Sequence, residues 1–261
     1  MKYKKFFSRA AIFAVVFAAV LVYMGSRTSV LAVNVPNIDI SITNGEGAGQ
    51  TSSALQILFL FVLIALLPTI LLMMTSFLRI IIVLHFLRTA LGTQSMPPNQ
   101  VMIGIALIMT LFIMSGPLDR IWNEAFVPFQ SGEISAEEFS PRLMEPLREF
   151  MYKQVDPEDL GLFGNHVAEL GITYETPLEE IPNTVLIPAF VLSELTAGFW
   201  AGFWLYVAFI VIDMVVASVL MAMGMMMLPP AMISMPFKIV IFVMSDGWKI
   251  VVDAIISGFV R

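Results

Sequence analysis

Residues 185–235 read VLIPAFVLSELTAGFWAGFWLYVAFIVIDMVVASVLMAMGMMMLPPAMISM, and this stretch decides the fold class. Only Glu194 and Asp213 are charged in it. A membrane-spanning helix needs about 20 apolar residues. The stretch is therefore long enough for two passes joined by a turn, with Pro229-Pro230 as its strongest break. The rest of the chain fits the same solvent. Of its 261 residues 58% are apolar and 13% charged, and the mean hydropathy is +0.87, well outside soluble globular usage. The expected fold class is all-α: a multi-span membrane protein of long kinked helices and helical hairpins, with an acidic extracytoplasmic segment.

Residues 1–32 have the order of a targeting signal, with Lys2, Lys4, Lys5 and Arg9 ahead of an apolar run and small residues Val30 and Ala32 at its end. Cleavage after Ala32 would change the net charge from −6 to −11, because five basic residues and no acids are lost. The alternative is a first transmembrane helix. Residues 33–53 are polar and rich in Gly, Ser and Asn, as in flexible segments. Residues 54–96 are apolar and helix-compatible apart from Pro68, too long for one span, so a kink at Pro68 or a projection beyond the membrane is expected. Residues 101–114 are short for a span and pair with the preceding segment as a hairpin, 54–118. The region 119–184 carries 14 of the 20 acidic residues and 4 of the 14 basic ones. The positive-inside rule puts Arg79 and Arg88 on the cytoplasmic side and the acidic block opposite. Residues 185–261 form the C-terminal helical region.

Several chemistries are excluded. No cysteine is present for thiolate ligands or thiol nucleophiles, His85 and His166 are far apart in sequence, and no P-loop or His-Glu-x-x-His pattern occurs. No catalytic, cofactor or metal site is read. An acidic chain also lacks the basic face that nucleic acid requires. The intramembrane charges matter more, since each costs about 2.5–3.5 kcal/mol at the bilayer centre unless partnered. Glu194 and Asp213 should seek cations. If residues 236–260 form one helix with Lys238 at zero, Lys249, Asp253 and Asp246 fall near about 20°, 60° and 80°. Such a stripe suits inter-subunit or buried ion pairs, or else the solvated face of an interfacial helix.

Methionine is the other unusual feature. Eight lie between Met214 and Met235, including the run Met225-Met226-Met227 next to Gly224 and ahead of Pro229-Pro230. Irregular core filling, a thioether Cu(I) site and a compressible seal are three readings of such a cluster. A non-helical loop at membrane depth must be buried in protein or line a cavity.

Two blocks carry a family resemblance. The first runs Thr75-Ser76-Phe77-Leu78-Arg79-Ile80, then Leu87-Arg88, Ala90-Leu91-Gly92-Thr93-Gln94 and Pro97-Pro98-Asn99-Gln100-Val101. The second joins Leu186-Ile187-Pro188-Ala189-Phe190, Ser193-Glu194-Leu195, Ile212-Asp213, Gly224-Met225-Met226-Met227, Pro236-Phe237-Lys238 and Asp246-Gly247-Trp248, and Pro146-Leu147-Arg148-Glu149-Phe150-Met151 adds a third. In these the chain resembles the FliP family of flagellar type III export gate proteins, related to injectisome subunits, and the signal sequence favours the flagellar branch. The resemblance implies a multi-pass protein of the bacterial inner membrane and flagellar basal body, forming a homo-oligomer, a pentamer, with FliQ and FliR. FlhA, FlhB and unfolded flagellar export substrates are further implied partners. It also implies that Met225, Met226 and Met227 line a constriction and that Glu194 and Lys238 lie at subunit contacts. A small-solute secondary transporter using Glu194, Asp213 and Lys238 is the competing function.

Overall fold

The computed structural model describes residues 61–62, 65–66, 68–93, 95–167, 176–225 and 227–259. Residues 1–32, read above as a targeting signal, the polar segment 33–53 and Met226 lie outside the described residues. The chain divides into two compact units, residues 1–71 and 72–261. In the first, residues 61–62, 65–66 and 68–71 are helical. Pro68 sits in helical backbone, and the helix is interrupted at residues 74–76. Thr75 supplies the reason. Its hydroxyl donates to the Leu72 carbonyl at 2.8 Å and accepts the Phe77 N–H at 3.3 Å, a local alternative to the helical ladder.

In the second unit α1 is Phe77–Ala90, α2 Asn99–Ile113, α3 Ser115–Gln130 and α4 Ala136–Gln154. There follow α5, Pro157–Val167, α6, Asn183–Ala222, α7, Pro230–Met244, and α8, Gly247–Ser257. The described residues of the acidic region are therefore mostly helical. α2 and α3 meet at a 61° bend, and α3 continues through π-helical turns at Ile121–Phe126. Ser135 caps α4 by accepting the Glu138 N–H, with Glu137 and Glu138 near the positive end of the helix dipole.

The stretch 185–235 holds two helices with a turn between them, and the first is α6. It is one helix of 40 residues, about 60 Å long at 1.5 Å per residue, roughly twice the hydrocarbon thickness. Among the described residues it alone is long and apolar enough to cross a membrane as a single helix. It threads two separate cores. Val185, Leu186, Ala189 and Phe190 bury against Ile121, Leu147, Met151 and Leu160 of the acidic region. Further along, Phe209 joins Ile80, Leu84 and Leu87 of α1, Met102 of α2, Phe242 of α7 and Val251 of α8. Two glycines let α1 approach α6 closely. A Cβ at Gly198 would lie 3.1 Å from Ile82, and one at Gly202 would overlap the Phe86 ring. Small residues four apart permit such crossings.

Polar contacts join the pieces of the acidic region to one another and to α6. Arg120 bridges Glu124 at 3.2 Å and Glu149 at 2.6 Å, tying α3 to α4. Arg148 donates to the carbonyls of Leu178 and Ile181, each at 2.6 Å, and to Asn183 Oδ1, which anchors the start of α6 to α4.

Gly202→Leu is expected to separate α1 from α6 and lower stability by about 1–3 kcal/mol. A fall in melting temperature in detergent, relieved by adding Phe86→Ala, checks it. The hydrogen bond from Arg120 holds the Glu149 carboxyl below the usual glutamate range. Its contribution to stability is thus present above the ordinary glutamate pKa and is lost as pH falls through the lowered value. Melts across acidic pH should show the wild type losing a small advantage over Glu149→Gln; pH-independent differences would contradict it.

Candidate functional site

Four ionisable residues, Arg79, Glu194, Asp213 and Lys238, meet in two clusters. In the first, Arg79 Nε donates to Glu194 Oε2 at 2.9 Å and Nη2 donates to Glu194 Oε1, a two-pronged pair. Arg79 Nη1 donates to the Gly258 carbonyl at 3.0 Å, and its guanidinium lies 4.0 Å from the centre of the Phe259 ring. Glu194 has no exposed surface. Three elements converge here: α1, α6 and the residues just after α8. Beside Glu194, Ser193 accepts the Asp156 N–H at 2.9 Å and donates to Asp159 at 2.6 Å, fixing the start of α5 to α6.

In the second cluster Lys238 Nζ donates to Asp213 Oδ2 at 2.7 Å and to the Ala90 carbonyl at 3.0 Å. Ser234, one turn earlier on α7, donates to Asp213 Oδ1. Lys238 is buried, and Ala90 closes α1, so the ammonium also sits at the negative end of that helix dipole. α1, α6 and α7 are joined through it. The carboxylates expected to seek cations thus have fixed partners within this chain. Arg79 is half-buried in this pair. Arg88, half-buried, donates to Asn99 Oδ1 at 2.6 Å and contacts His85.

The single charged stripe does not exist. Residues 236–260 are divided between α7 and α8 by a turn at Asp246, whose φ of 51° is left-handed. Gly247 follows, where a Cβ would overlap Phe242. Helical angles calculated across this break have no meaning. Lys238 is buried on α7, while Asp246, Lys249 and Asp253 are exposed at or beyond the turn.

The methionine segment joins α6 to α7. α6 ends with Gly224 at φ +76°, its N–H on the Met221 carbonyl and the Met225 N–H on the Leu220 carbonyl, both at 3.0 Å. This is the Schellman arrangement, which satisfies the last carbonyls of a helix. The helix therefore stops before the methionine run and not at the prolines, and Pro230 opens α7, where a missing N–H costs nothing. Met225 is 44% exposed and Met227 97%. Sequence reasoning missed Ser234, Arg148 and the Gly198/Gly202 contact. Only the glycine spacing carried a readable signal, small residues four apart in an apolar helix.

Comparison with known proteins agrees with the motif blocks. The FliP family model matches residues 60–255. The flagellar biosynthetic protein FliP of Bacillus subtilis (strain 168) is 46% identical over 220 residues, covering 84% of this chain and 98% of that protein. Its namesake in Pectobacterium carotovorum is 48% identical over 214 residues, 82% of each chain. The Caulobacter vibrioides protein of the same name is 41% identical over 253 residues, 97% of this chain and 92% of its own. With most of both chains aligned and the Arg79–Glu194 and Lys238–Asp213 residues inside the matched region, this chain belongs to the FliP family.

Proposed function

We propose that this protein is a flagellar biosynthesis component that works as a subunit of a protein export pore in the bacterial inner membrane. In this reading several copies assemble with FliQ and FliR, associate with FlhA and FlhB, and pass unfolded flagellar proteins. The observation that carries the reading is the methionine loop. A short non-helical segment, with Met227 almost wholly exposed, is held between two apolar helices, and such backbone at membrane depth must line a cavity or be enclosed by protein.

Two further features support it. α6 is far longer than a bilayer is thick, and its exposed side chains include Phe199, Trp200, Phe203, Trp204, Val211 and Val215. Unpartnered apolar surface on this scale marks interaction with lipid or other chains. Flexible, polarizable thioethers also suit a closure that must seal with and without a polypeptide inside. The energy for transport would come from other components.

Replacing Met225, Met226 and Met227 together by alanine is expected to raise ion leak through the assembled complex while export continues. Conductance measured in membranes expressing the complex tests this, and an unchanged value would sink the closure role. Lys238→Ala strands the Asp213 carboxylate in the same chain, with a cost of about 1–3 kcal/mol. Assembly should therefore fall more than membrane insertion, as read by native mass of the detergent-purified complex, and adding Asp213→Asn should restore part of the yield.

A further inference from the structure

The loop that joins α6 to α7 presents two methionine side chains to solvent outside regular helix, as Met96 does singly at 69% exposure. Met225 and Met227 follow the left-handed Gly224 and lie outside regular helix, at 44% and 97% exposure. Met74, Met102, Met114 and Met151 are each at most 2% exposed. Met214 and Met244 are also exposed, but they stand on the apolar faces of α6 and α7. Those helices satisfy their own backbone and can be covered by hydrocarbon. The loop backbone is only partly paired, through the bonds at Gly224 and Met225 and the Leu228 N–H on the Met225 carbonyl, so at membrane depth it meets either water or protein. With no cysteine in the chain, thioether sulfur is its only sulfur open to oxidants.

We propose that Met225 and Met227 form an oxidation site, and that their conversion to sulfoxide by hydrogen peroxide unseals the loop. The second half of the statement rests on the closure reading above. In the reaction the O–O bond of the peroxide breaks, one oxygen atom forms an S–O bond, and the other leaves as water. Each sulfur loses two electrons, and the peroxide gains them. A flexible apolar side chain becomes polar and chiral. An apolar constriction closes by excluding water. Sulfoxide oxygens are strong acceptors whose burial without a partner is costly, so they hold water in the constriction and oppose closure.

The test uses membrane vesicles containing the assembled export complex, treated with graded hydrogen peroxide, with peptide mass mapping and ion conductance read in parallel. Met225 and Met227 should each gain one oxygen atom at doses that leave Met102, Met114 and Met151 unchanged, and leak should rise several-fold. Methionine sulfoxide reductases of both stereospecificities, with a thiol reductant, should return it to the starting value. A variant with Met225, Met226 and Met227 replaced by leucine keeps apolar bulk without oxidisable sulfur and should stay tight at the same dose. Should it fail to assemble, Met227→Leu alone should blunt the response in part. Unmodified Met225 and Met227 at doses that oxidise Met214 and Met244 would overturn the site. Sulfoxides without added leak would overturn its consequence. If the alanine variant of the run were equally silent, the closure reading itself would fall, which separates the two.

Discussion

Glu194 has no exposed surface and stands within an apolar helix, so the packing of α1 on α6 depends on Arg79 reaching it. Removing one partner of a buried ion pair costs about 3–5 kcal/mol, because the remaining charge is stranded. A two-pronged guanidinium–carboxylate pair also has direction, and it sets both the height and the rotation of α1. With Arg79 opposite Glu194, Ile82 and Phe86 lie three and seven residues further on, on the same face of α1. They meet Gly198 and Gly202, four and eight residues beyond Glu194. Any other register would drive a side chain into Phe86 or leave a charge alone. The same guanidinium holds the Gly258 carbonyl and covers Phe259, which extends the constraint to the C-terminal residues.

Lys238 acts at the other end of α1. Ala90 is 11 residues beyond Arg79, about 16 Å along the helix, and its carbonyl accepts from the Lys238 ammonium. α1 is thus pinned at both ends by cations that also bind carboxylates of α6, one from its own sequence and one from α7. The competing transporter reading required Glu194, Asp213 and Lys238 to be available as coupling groups. Each instead has a partner within hydrogen-bonding distance.

The helical class and the need of Glu194 and Asp213 for cations were legible because they follow from composition and from the cost of bare charge in an apolar helix. The breaks were not. Pro68 is the strongest helix breaker in its segment, yet the chain stays helical there, and the interruption falls where a threonine hydroxyl competes for backbone groups. Likewise nothing in the periodicity of residues 236–260 distinguishes Asp246 in a left-handed turn from Asp246 in a helix. The reason is non-local: Gly247 must lie against Phe242. The length of α6 is non-local in the same way: its first part is buried by the acidic region, which shows only when the two are folded together.

The short loop after α6 also explains why methionine suits its position better than other apolar residues. α6 is closed by Gly224 three residues before Met227, and α7 restarts at Pro230 and is held by Ser234 and Lys238 within its first turns. Both ends are therefore anchored, and little backbone remains to move. In the proposed pore, opening and closing must come mainly from side-chain rotation. Valine or isoleucine would be restricted at χ1 by branching next to the backbone, so closure with them would demand motion of the anchored ends. Methionine has three rotatable bonds and an unbranched, polarizable tip. It can fill a gap of varying width while Lys238 and Asp213 keep the frame still.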